Sequence, residues 1–277
     1  MHKQNKRHRK VRKTISGPNF PGQHLMHNPE TIAELLRTAP LRSEDLVLEI
    51  GAGKGALTLP LAARAGKVIA VENDRHFIER LRQKTENIPQ VTIVEADFRH
   101  LPLPNRPFWV VANIPFSITT AIMDKLLGTE GKCFQGGGLL MEKGAALRFT
   151  EKCTTDPRLL TWRMDFQLEM KKVVPRTHFS PPPRVDAAIV GITRRTPTLL
   201  PPGQRRRFYA LAAYALREPR IAVHEALKGV FTAPQMKMAF REARADRDQP
   251  VASLTERQWG TLFEAMLQYV APYRWPR

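Results

Sequence analysis

The chain has 277 residues, 42% of them hydrophobic, and its 44 Lys and Arg against 26 Asp and Glu give a formal charge of +18. That length and apolar content support one substantial core with a smaller module beside it, and a single-sign excess of this size points to a polyanion, with nucleic acid the natural partner. No apolar run approaches the roughly 20 residues that a membrane span requires, and the basic amino terminus has no apolar segment behind it, so a cytoplasmic protein with no membrane association is expected. Cys133 and Cys153 have no CxxC or Cys/His company, which argues against a disulfide framework and a zinc site. His24 and His27 are expected at the surface rather than on a metal.

Residues 1–14 carry Lys3, Lys6, Arg7, Arg9, Lys10, Arg12 and Lys13 and no acid, the composition of a flexible basic arm. From Asp45 onward, apolar runs of strand length alternate with helical segments, the pattern of a mostly parallel sheet covered on both faces. The expected strands are 46–50, 68–72, 91–95, 108–112, 139–142, 166–170 and 188–193, and the helices between them are 56–65, 76–84, 120–127 and 144–149. Residues 15–195 thus read as one α/β domain. The stretch 196–203 holds three prolines and a glycine and reads as a linker. Beyond it, segments 204–216, 220–230, 234–244 and 255–269 have helical apolar spacing, so residues 204–277 read as a small all-helical domain.

The run Leu48-Glu-Ile-Gly-Ala-Gly-Lys-Gly-Ala56 puts a glycine-rich turn between a buried strand and a helix, where backbone can approach a nucleotide closely. Its spacing differs from the dinucleotide fingerprint and lacks the ending of a phosphate-binding P-loop. Gly51 and Gly53 are the candidate contacts. Glu72 ends the next strand, where a carboxylate can accept from both ribose hydroxyls, and Asp97 lies just past the third strand, within reach of an adenine amine. Either acid alone is an ordinary solvated strand end; with the loop they outline a pocket for an adenosine without a phosphate chain.

The fourth strand ends in Asn113-Ile-Pro-Phe116. This tetrapeptide resembles the Asn-Ile/Leu-Pro-Tyr/Phe motif of ribosomal RNA adenine N6-methyltransferases, in particular the Erm family. The resemblance implies a Rossmann-like class I methyltransferase fold with S-adenosylmethionine as cofactor. It assigns the Asn113 oxygen and the Ile114 carbonyl to the target amine, and Phe116 to stacking on the base. Those roles suit the chemistry. An adenine amine is a poor nucleophile while a sulfonium methyl is already electrophilic, so the protein must chiefly align acceptors, a stacking ring and an in-line approach. Pro115 fixes its own φ and keeps Ile114 out of a helix, stiffening the turn. A paired adenine cannot present its amine this way, so a looped or flipped-out nucleotide is expected.

The likeness extends over nearly the whole chain. His178-Phe-Ser-Pro-Pro-Pro-Arg-Val-Asp186 is similar to the family's Phe-x-Pro-x-Pro-x-Val motif, which makes Phe179 a second stacking residue, or else a side chain packed under the proline-rich loop. Met141-Glu-Lys-Gly-Ala-Ala146 also fits. Upstream, the family's Gln-Asn-Phe reads Gln23-His24-Leu25, so the implied cofactor contacts are His24 and Met26; an alternative register on Pro18-Asn19-Phe20 loses the Gln. The implied reaction is transfer of one and then a second methyl to a single adenine of 23S ribosomal RNA, with resistance to macrolide, lincosamide and streptogramin B antibiotics. A monomer is expected, with its helical domain associated with RNA. The rivals are a 16S ribosomal RNA dimethyladenosine transferase and a non-catalytic RNA-binding assembly factor of the same fold.

Overall fold

The structure is a computed structural model that describes residues 24–277. The expected arm at residues 1–14, and Gln23 of the upstream motif, lie outside the described residues. A two-residue strand β1 (Leu25–Met26) and helix α1 (Pro29–Leu36) come first. There follow β2 (Leu46–Ile50), α2 (Thr58–Ala62), β3 (Lys67–Glu72), α3 (Arg75–Thr85), β4 (Val91–Glu95), β5 (Phe108–Asn113), α4 (Thr119–Leu127) and β6 (Phe134–Glu142). Helices α5 (Lys143–Thr150) and α6 (Pro157–Asp165) precede β7 (Phe166–Val174), the short β8 (Phe179–Ser180) and β9 (Ala187–Arg194). Helices α7 (Arg205–Ala215), α8 (Val223–Leu227), α9 (Ala233–Ala243) and α10 (Glu256–Tyr269) complete the order.

Seven strands form one sheet in the order β4-β3-β2-β5-β6-β9-β7. The first five in that order are mutually parallel, and β9 runs antiparallel to both its neighbours. This is the expected Rossmann-like, mostly parallel sheet with a helical C-terminal region. Its two faces are both buried, because Leu46, Leu48 and Ile50 of β2 join one apolar cluster while Val47 joins another; a strand covered on both sides has to read as continuously apolar. The order also fixes where a ligand sits. The chain lays β2, β3 and β4 outward in one direction and returns with β5 on the other side of β2, so the carboxyl ends of β2 and β5 flank the topological switch point.

Strands β1 and β8 were not among the expected elements, β7 runs on to Val174, and three further departures bear on the packing. Helices α1 and α6 were not expected; each opens on a cap-then-proline pair, with Asn28 accepting from Thr31 N–H at 2.9 Å and Asp156 from Arg158 N–H at 2.8 Å, and such pairs are sound start signals. Strand β6 begins five residues earlier than 139, through Gly136-Gly137-Gly138. Glycine is required there: at Gly137 φ is +143° and a Cβ would lie 1.8 Å from the Val110 carbonyl oxygen.

The helices after residue 204 pack around Trp259, Phe208 and Phe263, and Leu160 and Met164 of α6 belong to the same cluster. Two arginines tie this body to helices α4, α5 and α6. Buried Arg163 donates to the Phe149 and Glu151 carbonyls at 2.8 and 2.5 Å and pairs with Glu256 of α10 at 3.7 Å. Arg205 pairs with Asp165 at 2.9 Å and donates to the Leu127 carbonyl at the end of α4.

Candidate active site

A cavity of about 430 Å3 opens at the switch point, lined by Gly51 and Gly53 after β2, Glu72 at the end of β3, Asp97 after β4, Asn113 at the end of β5 and Ile114 to Phe116 after it, with His24. Parallel strands deliver these residues together because their carboxyl ends share one edge of the sheet. The glycine turn holds φ of +74° at Gly51 and +54° at Gly53, a region costly for other residues. Gly53 spends that freedom on aiming its N–H at Glu72 Oε2, 2.8 Å away.

Glu72 is 6% exposed, and its other oxygen accepts from the N–H groups of Asn73 and Asp74 at 2.9 and 3.0 Å. Three backbone donors fix a carboxylate that has about four acceptor positions, which leaves one for a ligand hydroxyl. Asp97 is held differently: Arg99 grips it from Nε and Nη2, the latter at 2.5 Å, and its Oδ1 also accepts from Arg99 N–H at 2.9 Å. That arginine holds the Asp97 carboxyl down at about 2, so it is ionised throughout the physiological range. Arg99 lines the cavity too; it follows a strand end in a polar turn and carried no motif signal.

Glu49 is the other residue that sequence reasoning passed over. It is the fourth residue of β2, 1% exposed, and faces a second, smaller cavity of about 180 Å3 that shares Leu25, Gly51, Gly53 and Asn113 with the first. Burial pushes its carboxyl up to about 8; a 2.5 Å hydrogen bond from Thr58 opposes the rise, and the nearby Glu72 adds to it. An acid inside a fully buried strand, directly before a glycine turn, is a legible anomaly.

On the far wall, β5 carries Asn113 to the sheet edge, and the following Ile114 N–H donates to the Leu140 carbonyl at 3.1 Å, tying the turn to β6. Asn113 Nδ2 donates to the His24 main-chain carbonyl at 2.8 Å. Only the amide nitrogen can face a carbonyl oxygen, so Asn113 Oδ1 is left as the free acceptor. Pro115 lies over Gly51, with its Cδ 3.6 Å from the position a Cβ would take there, and Phe116 lies half-buried along the cavity.

Phe179 and Met26 sit elsewhere. They are register partners in the β1–β8 ladder, both buried in one cluster with Leu35 and Leu36 of α1. Phe179 is 2% exposed and does not line the main cavity. In this structure its ring packs into the core beside Met26, Leu35 and Leu36, the arrangement of the second of the two expectations for Phe179. Met26 borders only the smaller cavity.

Residues 18–268 match the family model described as ribosomal RNA adenine dimethylase. The chain belongs to this family. It is 46% identical over 260 residues to an rRNA adenine N-6-methyltransferase of Bacillus licheniformis, covering 94% of this chain and 91% of that one. It is 31% identical, over 89% of this chain and 92% of the other, to the ribosomal RNA small subunit methyltransferase A of a Synechococcus strain. A solved structure, the 23S rRNA methyltransferase ErmE, superposes on 88% of this chain and 100% of its own with a TM-score of 0.79 at 29% identity.

As a ribosomal RNA adenine dimethylase family member, the chain is an S-adenosylmethionine-dependent methyltransferase, and its residues fit that group. The glycine turn offers bare backbone, Glu72 would supply a fixed acceptor for a ribose hydroxyl, and Glu49, lining the adjoining smaller cavity, would supply an anionic partner for a cationic group when ionised. Among the described residues no His/Cys/Asp/Glu group could hold a metal ion, and none of their helices is long and apolar enough to cross a membrane.

Proposed function

We propose that this family member methylates, and then methylates again, the N6 amine of a single adenine in 23S ribosomal RNA, and thereby confers resistance to macrolide, lincosamide and streptogramin B antibiotics. The observation that carries the chemistry is the Asn113 amide, turned by the His24 carbonyl so that Oδ1 is the acceptor offered beside the cavity that Glu72 also lines. S-adenosylmethionine supplies a methyl group already activated by its sulfonium. What the chain adds is alignment: Asn113 Oδ1 orients the amine protons, the Ile114 carbonyl is the second acceptor, and Phe116 and Pro115 wall the base. No residue need act as a strong base, and Glu72 and Asp97 serve the adenosine rather than the amine.

The large-subunit reading is supported by likeness to the 23S rRNA methyltransferase ErmE, which superposes on 88% of this chain with a TM-score of 0.79 at 29% identity. Mass spectrometry of both purified ribosomal RNAs after incubation with the chain and labelled cofactor tests it. The expected product is dimethyladenine at one position of the large-subunit RNA; label confined to two adjacent adenines of the small-subunit RNA would overturn the assignment. Expression in an erythromycin-sensitive bacterium tests the resistance: unchanged sensitivity with abundant folded protein would sink it.

A further inference from the structure

His24 stands where three distant segments meet, and strand pairing explains why. Leu25 pairs with Ser180 and Met26 with Phe179, so the next rung toward the cavity falls on His24 and Pro181. His27 N–H bonds to the His178 carbonyl at 3.1 Å, so the hydrogen-bonded pairs alternate onto Leu25 and Ser180, and the His24 rung is a non-hydrogen-bonded one whose main-chain groups turn away from the partner strand. The His24 carbonyl, facing away from β8, accepts from Asn113 Nδ2 at 2.8 Å. The Pro181 carbonyl in turn is met by the His24 ring, with Nδ1 2.9 Å from the oxygen. A carbonyl oxygen only accepts, so Nδ1 carries the hydrogen. The same ring lies 5.9 Å from Phe116, centroid to centroid, at a tilt of 43°, within the range of favourable aromatic contacts.

We infer that His24 is a positioning residue for the target adenine, a strut that holds Asn113, Phe116 and the Pro181 loop in one arrangement, and that its side chain is not a cofactor contact. The role rests on reading the cavity as a ribosomal RNA adenine site. Its main-chain carbonyl sets which branch of the Asn113 amide faces the amine. Its ring sets the distance between the stacking wall and the proline-rich loop. The Gly53–Glu72 bond is made by other segments, so the adenosine side is independent of the strut.

The test compares His24→Ala and His24→Asn with the unaltered chain. S-adenosylmethionine affinity is measured by calorimetry, and methylation kinetics on protein-free ribosomal RNA. For His24→Ala the cofactor Kd is expected to stay within about twofold while kcat/KM for RNA falls about tenfold to hundredfold, the scale of a small misplacement of reacting groups. His24→Asn, which can keep a donor for Pro181 without a ring against Phe116, is expected to recover part of that loss. A weakened cofactor with unchanged RNA kinetics overturns the role in favour of a cofactor contact; no change in either, or an equal loss in both, overturns it as well. Long-range 15N–1H spectra of the unaltered, labelled chain are independent of any variant's folding: the neutral His24 ring is expected as the Nδ1–H tautomer, and an Nε2–H ring would overturn the bridge. Failure of the unaltered chain to methylate any ribosomal RNA would defeat the reading of the cavity, while the calorimetric and spectroscopic results would still decide the placement of His24.

Discussion

On the proposed adenosine side of the cavity, the contacts join residues a short way apart in the chain: Gly53 N–H to Glu72, and Glu72 to the N–H groups of the two residues that follow it. On the proposed adenine-target side, Asn113 is oriented by His24, and the His24 ring meets Pro181, contacts 89 and 157 positions apart. The first half is local, backbone-made and closed by the parallel sheet; the second is pinned by a two-residue ladder and a few side-chain bonds. The cofactor end of such a site is preformed by fold, whereas the substrate end depends on a few long-range contacts that one substitution can release.

That contrast can be broken most sharply at Phe179. If its ring is core rather than stacking wall, Phe179→Ala is expected to cost about 3–5 kcal/mol of stability, read by denaturant unfolding, while Phe179→Leu keeps most activity; a stable but inactive Leu variant would restore the stacking role. Glu49 probes the other half. Its carboxyl titrates near 8 in the folded chain against an ordinary 4.5, so its raised value favours folding at low pH and that contribution is lost as pH rises from about 4.5 through 8. Glu49→Gln, which stays neutral, is expected to gain on the unaltered chain by up to about 5 kcal/mol over that range, at about 1.4 kcal/mol per unit; parallel pH–stability curves would place Glu49 in a more solvated setting.

Asn113→Ala is expected to lower kcat by about 10²–10³-fold, the loss typical of a preorganised polar group at a reacting centre, with cofactor affinity nearly unchanged. Equal loss in both would erase the distinction between the halves. Glu72→Gln is the mildest: losing the charge while keeping one acceptor is expected to weaken cofactor binding about tenfold, in line with a charge-assisted hydrogen bond, and to leave RNA affinity alone, both read by titration.

Much of the fold was legible because its signals are local. The strands announced themselves as apolar runs, and buried β2 and the edge strand β4 match the expected 46–50 and 91–95 residue for residue. Helices α1 and α6 were legible in principle from Asn28-Pro29 and Asp156-Pro157, but their short apolar faces are overshadowed by the strands beside them. The glycine run that extends β6 was not legible, since glycine disfavours strands unless another backbone lies too near for a Cβ, and that neighbour is brought by β5.

By itself the sequence determined the alternating α/β plan, the glycine turn, and the acids and Asn-Ile-Pro-Phe at strand ends, because strand periodicity and backbone permissiveness are properties of neighbouring residues. Tertiary structure alone decided that Phe179 turns inward, that burial pushes the Glu49 carboxyl up, and that His24 reaches Asn113 and Pro181. Each of those depends on which group lies opposite in space: a carbonyl that the strand ladder turns toward Asn113, or a carboxyl whose water has been taken away.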